Sequence, residues 1–209
     1  MLTPKFKKFE ASLPPVRPEE VALYEAHFSL LKKWNENIGL VSRKSIDQSF
    51  ANHYVDSLYI SKFAHQFLKP GWEVFDLGTG AGFPGLIFAI RYPEVQITLY
   101  EKLLKKQSFL SAALAELKLS NVKIEGAMPP IRKEGLFLGR AVLPREKLFP
   151  FFQERMKSES ILITNAGGST ELPPAPKGFE KVGDIKYTLP EEAGDRKAEA
   201  FKIVPRGTN

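Results

Sequence analysis

A chain of 209 residues, 43% hydrophobic and 26% charged, has a globular composition and is long enough for one domain with a real core. The absence of cysteine excludes a disulfide framework and any thiolate metal site; it fits a reducing cytosol, so a cytoplasmic protein is expected. A net charge of +6 leans mildly toward polyanionic partners, and no stretch approaches the ~20 apolar residues of a membrane span.

Residues 1–16 mix lysine, proline and serine and read as a loose arm without the apolar segment of a signal peptide. From Pro18 onward, Val21, Tyr24, Phe28, Leu31 and Ile38 recur at helical spacing, with Trp34 beside them. Glu19 and Glu20 in the first turn and Lys32 and Lys33 near the end suit the helix dipole. A second helical stretch runs from about Ile46 to Phe67, and Lys69-Pro70-Gly71 ends it. Residues 1–69 thus form an arm and helical extension on a core at 70–209, one compact domain together.

The rhythm then alternates. Trp72–Leu77 reads as a buried strand, Phe83–Ile90 as a helix with Pro84 in its first turn, and Val95–Tyr100 as a second strand. Leu103, Leu110, Leu114 and Leu117 mark the next helix. Val122–Ile124 and the weaker Leu136–Leu138 supply two more strands, residues 145–156 a helix, and 160-SILIT-164 another strand. Strands alternating with helices predict a mostly parallel sheet covered on both faces, a Rossmann-like α/β fold. At the end, 179–188 and 198–204 are extended around 190-PEEAGDR-196 with no helix between them, which predicts an antiparallel hairpin closing the sheet.

The segment 74-VFDLGTGAGFPGL-86 follows an apolar run and an acid with four glycines in eight positions. A phosphate-cradling loop needs lysine and then serine or threonine after its last glycine; Leu86 and Ile87 follow Gly85, which excludes it. Gly80-Ala-Gly82-Phe-Pro-Gly85 matches the dinucleotide spacing, but the glycine directly off the strand is Gly78. Counted from there the turn is Asp76-Leu-Gly78-Thr-Gly80-Ala-Gly82, whose glycines let backbone approach a ligand closely. Asp76 at the strand end can help bind an ammonium group. Glu101 ends the next strand, where both dinucleotide and S-adenosylmethionine sites use an acid to grip ribose hydroxyls. It signals a ribose without choosing the cofactor. The helix-free hairpin favours a class I S-adenosylmethionine-dependent methyltransferase over a nicotinamide-dependent oxidoreductase, and a structural turn with no ligand is the third reading.

More specific is the set 34-WN-35, 53-HYVDSL-58, 76-DLGTGAGFPG-85, 101-EKLLKKQSFL-110, 140-RA-141 and 194-GDRKAEAFKIV-204. Over residues 20–204 the chain resembles the bacterial 16S rRNA guanine-N7 methyltransferases of the glucose-inhibited-division protein B family. The resemblance implies S-adenosylmethionine as methyl donor, bound at Asp76, Gly78, Gly80, Gly82, Phe83, Glu101, Met128, Pro129 and Arg140. It implies as acceptor a guanine near the decoding region of 16S rRNA, within the small ribosomal subunit or its precursor. Guanine N7 carries a lone pair and no proton, so transfer needs no obligatory base and no metal. Arg140, Asp56 and Ser57 are the candidates for positioning the substrate.

Alternatives stay open for these residues. His53 and Asp56 share a helix face and either brace the N-terminal helices or, with Ser57, shape a guanine pocket. Arg140, ending the fourth strand, is either a substrate-side cation or a loop salt bridge. His27 and His65 read as packing or surface residues, and Lys105 and Lys106 as the solvated face of a helix. Lys5, Lys7, Lys8, Arg17, Lys32 and Lys33 are candidate phosphate contacts. The chain departs from the family pattern at 126-GAMPPI-131, whose prolines offer no N–H donors, at 164-TNAGGS-169, which lacks a lysine, and at Asn52, where a basic residue is usual. These departures motivate an alternative function, a non-catalytic RNA-binding or ribosome-assembly module that keeps the fold without the chemistry.

Overall fold

Helix α1 (Pro18–Ile38) starts with proline at its first position, where no N–H is needed, and stops at Gly39 in the left-handed conformation (φ 50°). The computed structural model describes residues 14–42, 46, 50–131, 133–167, 174–190 and 194–204. The arm lysines Lys5, Lys7 and Lys8 lie outside these residues, as does part of 164-TNAGGS-169. The stretch expected as one helix from 46 to 67 is divided: a π-helical turn (Phe50–Val55) feeds helix α2 (Asp56–His65).

The alternating elements follow in order: β1 (Glu73–Leu77), α3 (Gly85–Arg91), β2 (Ile97–Tyr100), α4 (Leu104–Leu117), β3 (Val122–Glu125), β4 (Gly135–Gly139), α5 (Arg145–Gln153) and β5 (Ile161–Gly167). The hairpin is β6 (Phe179–Leu189) and β7 (Gly194–Ile203). Pro84 stands just before α3 rather than inside its first turn. β7 begins earlier than expected because Asp195, Arg196 and Lys197 continue the ladder opposite Thr188, Tyr187 and Lys186. The weak fourth strand is short of side chains for a packing reason. A Cβ on Gly135 would lie 2.7 Å from the Phe75 ring, and one on Gly139 3.0 Å from Phe152.

Among the described residues the sheet has seven strands, in the order β3-β2-β1-β4-β5-β7-β6. β1 to β5 are mutually parallel, and β7 runs antiparallel to β5 and β6. Chain progression reverses between β1 and β4, so the crevice beyond their carboxyl ends is the topological switch point where open α/β sheets bind ligands. Asp76 pairs with Leu138 there, which brings Arg140 out of β4 beside the glycine turn.

Apolar packing covers both faces of the sheet. On one, Val21, Tyr24, Phe28 and Leu31 of α1 and Leu58 and Phe63 of α2 share a continuous core with Val74, Leu86, Leu99 and Leu138. On the other, Phe149 and Phe152 of α5 pack on Phe75, Phe137 and Phe201. The hairpin carries an irregularity between Lys181 and Gly183, and Gly183 lies so close to the turn after α2 that a Cβ would meet Phe67 at 2.9 Å. At the other end of the sheet Arg91 clasps the incoming chain: it donates to the Pro15 carbonyl (2.8 Å) and pairs with Glu20 (3.2 Å), while Arg17 donates to the Arg91 carbonyl (2.8 Å). At this same end the Ile203 N–H donates to Ser160 O and the Val204 N–H to Gly178 O. Among the described residues no helix is long and apolar enough to cross a membrane.

Candidate active site

The turn after β1 is fixed from below. The Gly78 and Thr79 N–H groups both donate to the Tyr100 carbonyl (2.8 and 3.2 Å), tying the turn to the end of β2. Glu101 completes the join: Oε2 accepts from the Gly80 N–H (3.1 Å), Oε1 from the Leu103 N–H (2.9 Å), and its carbonyl from the Gln107 amide (2.6 Å). Each carboxylate oxygen still has acceptor capacity for a further donor. Gly80 has φ 61°, and a Cβ there would meet nothing nearer than the Gly78 carbonyl at 4.0 Å. Its outer face is therefore bare backbone beside a carboxylate. Gly85 is the opposite case, with a Cβ landing 2.5 Å from Leu99 and 2.6 Å from the Asp76 carboxylate.

Asp76 lies fully buried beneath the turn, and its Oδ2 accepts from the Gly85 N–H (2.9 Å). Burial pushes its carboxyl up to about 6, against the opposing pull of the Thr79 hydroxyl, the Gly85 N–H and the Arg140 charge. The sequence left Asp76 at the mouth of the crevice, toward an ammonium group; in the fold its Oδ2 holds the turn closed, while Oδ1 is buried without a hydrogen-bond partner among the described residues.

Arg140 is built into a cluster. Its Nη1 donates to Asp56 Oδ2 (2.9 Å), its Nη2 lies 3.2 Å from His53 Nδ1, and its guanidinium sits 5.7 Å from the centre of the Phe83 ring. The other Asp56 oxygen accepts from the Tyr187 hydroxyl (2.6 Å), and Tyr187 stacks on Tyr59 (4.6 Å). Burial, with the Arg140 charge adding to it, holds the His53 imidazole down at about 3, so its Nδ1 is an acceptor for Arg140. Burial and then the Asp56 carboxylate raise the Tyr187 phenol, which keeps it a donor. The chain leaves β4 sharply: Ala141 takes left-handed backbone (φ 50°), at a cost of about 1–2 kcal/mol for a residue with a Cβ. Val142 presses on the glycine turn so closely that a Cβ on Gly78 would lie 2.4 Å from its Cγ2.

The remaining sequence-derived candidates fall in different places. The Phe83 side chain is buried, stacked on His53 (5.1 Å) and edge-on to His27 and Tyr54, and forms the floor under Arg140. Ser57 is fully buried on α2. Met128 packs into the α5-side core, and its carbonyl accepts from Arg155 Nε (3.2 Å). The Ile131 N–H is taken by the Arg155 carbonyl (2.7 Å), while Pro129 is exposed. Tyr187 and His27 were not among the sequence candidates. His27 Nδ1 lies 2.5 Å from the Tyr54 hydroxyl, and burial holds its imidazole down to about 4 with the Ala81 backbone opposing. The His-x-x-Asp spacing hinted at the first half of the Arg140 cluster; a lone tyrosine on an alternating strand gave no signal for the second.

Strand order, the acid-glycine turn off β1 and the acid ending β2 together define a class I, Rossmann-like methyltransferase fold. The same fold is found in a mutant of MtNAS in complex with S-adenosylmethionine (TM-score 0.61, 14% identity, 87% of this chain and 73% of that one) and in coclaurine N-methyltransferase bound to N-methylheliamine and SAH (0.55, 11%, 94% and 91%). The family profile described as rRNA small subunit methyltransferase G matches residues 20–169. The chain belongs to this family. Ribosomal RNA small subunit methyltransferase G of Flavobacterium psychrophilum is 31% identical over 205 residues, covering 91% of this chain and 92% of the relative. The protein of that name from Chlorobaculum tepidum is 36% identical over 158 residues, covering 74% and 72%.

Proposed function

We propose that this chain transfers a methyl group from S-adenosylmethionine to N7 of a guanine in 16S rRNA, at position 527 near the decoding region, within the small subunit or its precursor. The observation that carries the cofactor reading is the bare backbone of Gly80 beside the Glu101 carboxylate. The turn leaves room for a ligand and offers acceptors to ribose hydroxyls at the same point. Bound S-adenosylmethionine supplies an electrophilic methyl on a sulfonium. The residues around it supply orientation: Gly80 admits the ligand to backbone, Gly78 and Gly82 let the turn close against Val142 and Leu86, and Glu101 holds the ribose.

Arg140 is the group this reading places on the acceptor. A guanidinium suits the O6 acceptor of guanine or a flanking phosphate, leaving the N7 lone pair free to attack, and Asp56 and His53 fix its plane. His53, neutral, moves no proton, and the attacking N7 has none to lose. In-line placement therefore carries the rate, and orientation is worth about 7–11 kcal/mol of barrier. Asp56 acts through Arg140, and Ser57 lies buried next to Asp56 on α2.

Two measurements test this. Calorimetry should show binding of S-adenosylhomocysteine and none of NAD. Tritiated methyl should pass to small subunits from a strain lacking the activity, with primer extension locating the base. Tight particle binding without label transfer would favour the non-catalytic assembly module, the reading that the unusual 126–131 segment supports.

A further inference from the structure

Among the described residues three large apolar side chains stand exposed, and two of them are neighbours: Leu103 (49% exposed) and Leu104 (76%). The helix they introduce does not need them. Its buried stripe is Phe109, Leu110, Ala113 and Leu117, and Leu104 lies on the opposite side, in line with exposed Ser108 and Ser111. Leu103 precedes the helix with extended backbone (φ −84°, ψ 114°), held there by the bond from its N–H to the Glu101 carboxylate. Both leucines are thus presented outward by a buried acid. Lys102 and Lys105, both exposed, and the half-exposed Lys106 flank them, and none of the three makes an ion pair among the described residues. Glu101, the acid next to them in sequence, is buried and already engaged by two backbone donors.

We propose that 102-KLLKK-106 is a docking surface for an unpaired stretch of RNA flanking the methylated base. The lysines meet phosphates, and the leucines cover the apolar face of an unstacked base or its ribose. Protein interfaces are depleted of lysine at their centres, whereas single-stranded nucleic acid follows a positively charged groove and lays its bases on side-chain platforms, aromatic in the best-described cases; here the leucines offer the platform. The corner directly follows Glu101, so RNA seated there lies along the same edge of the sheet as Gly80. This assignment rests on RNA being the acceptor, and it revises the reading of Lys105 and Lys106 as mere solvated positions.

The test compares the full-length chain with Leu104→Ser and with the double variant Lys105→Gln/Lys106→Gln. Substrate is the unmethylated small subunit, and particle binding is measured separately from methyl transfer. Leu104→Ser should raise the subunit KM on the order of tenfold, with turnover at saturation, S-adenosylhomocysteine affinity and melting temperature unchanged. The double variant should flatten the slope of log binding against log salt by about 0.7 per lysine removed. If the wild type binds subunits but transfers no methyl, the proposed activity fails while the docking comparison still reads out. Unchanged binding and salt slope in both variants would overturn the docking surface. So would a fall in S-adenosylhomocysteine affinity, which would assign the corner to the cofactor, or a change in oligomeric state, which would assign it to a second copy.

Discussion

Tyr187 of β6 donates a 2.6 Å hydrogen bond to Asp56 of α2, a residue 131 positions earlier, and so links the C-terminal hairpin to the carboxylate that holds Arg140. Tyr187→Phe keeps the ring stacked on Tyr59 but strips one buried oxygen of its donor, at a cost of about 1–3 kcal/mol. Turnover should fall with S-adenosylhomocysteine affinity unchanged. A lowered melting temperature with wild-type turnover would mean the hydroxyl braces the hairpin and nothing more.

Arg140→Lys keeps the charge but cannot meet Asp56 and His53 together, because an ammonium lacks the planar fork. Methyl transfer at saturating cofactor should slow at least tenfold, roughly 1.4 kcal/mol of activation energy, with little change in S-adenosylmethionine binding. Arg140→Met should also destabilise the fold by about 3–5 kcal/mol, since Asp56 is left as a buried charge without its cation. A normal rate for the lysine variant would reduce Arg140 to a structural ion pair.

The buried Asp76 predicts an unusual pH profile. Its carboxyl titrates near 6 in the fold against 3.8 for the ordinary group. The folded state therefore keeps a proton that the unfolded chain has released, and this contribution to stability declines as pH rises through that window and stays lost above it. Asp76→Asn retains an acceptor for Gly85 without the charge. It should gain on the order of 3 kcal/mol over wild type above about pH 7 and little below about pH 4. His27 and His53, held down at about 4 and about 3, act in the other sense: their contributions are present above the ordinary imidazole range and lost as pH falls. Urea titrations of wild type and variant across pH isolate the Asp76 part, and equal midpoint differences at both ends would contradict it.

Two alanine substitutions in one turn should separate binding from folding. Gly80→Ala meets open space but takes a left-handed backbone, costing about 1–2 kcal/mol, and should abolish S-adenosylhomocysteine binding in a folded chain. Gly85→Ala has no room between Leu99 and Asp76 and should lower stability by about 1–3 kcal/mol through overpacking. Thermal melts alongside calorimetry distinguish the two. A Gly80→Val variant would confuse them, because a β-branched side chain adds strain of its own.

Neutralising Lys5, Lys7 and Lys8 should raise the subunit KM and flatten its salt dependence without touching turnover, since phosphate contacts are largely blind to sequence. Measuring KM at several salt concentrations checks this.

Periodicity made most of the scaffold legible. Leucine and phenylalanine spacing marked α1 and α4, and short apolar runs marked the parallel strands, because burial on both faces leaves no other pattern. What escaped was decided by tertiary contact. The 46–67 stretch has one helical rhythm, yet its first part is π-helical where Tyr54 meets His27 and Phe83. β4 reads weakly because two of its five residues are glycines that make way for Phe75 and Phe152. In the crevice, spacing named the glycines, Asp76 and Glu101, while Arg140 came from its place at the end of β4 and from the family resemblance. It could not show that Asp76 points inward or that Phe83 is a floor, since both depend on what α1 and α2 lay over the turn. Tyr187 was invisible because its partner lies across the whole domain.

The Arg91 clasp on Pro15 and Arg17 has a practical consequence when set beside the pairing of Ile203 and Val204 with Ser160 and Gly178. Pro15 and Val204 both meet the body of the protein at the amino ends of the parallel strands, while Gly80, Glu101 and Arg140 occupy the carboxyl ends. A fluorophore, an affinity handle or a solid support joined at either position is therefore held on the far side from the rim of Gly80, Glu101 and Arg140. Something as bulky as a ribosomal particle can then approach a tethered molecule from the open side.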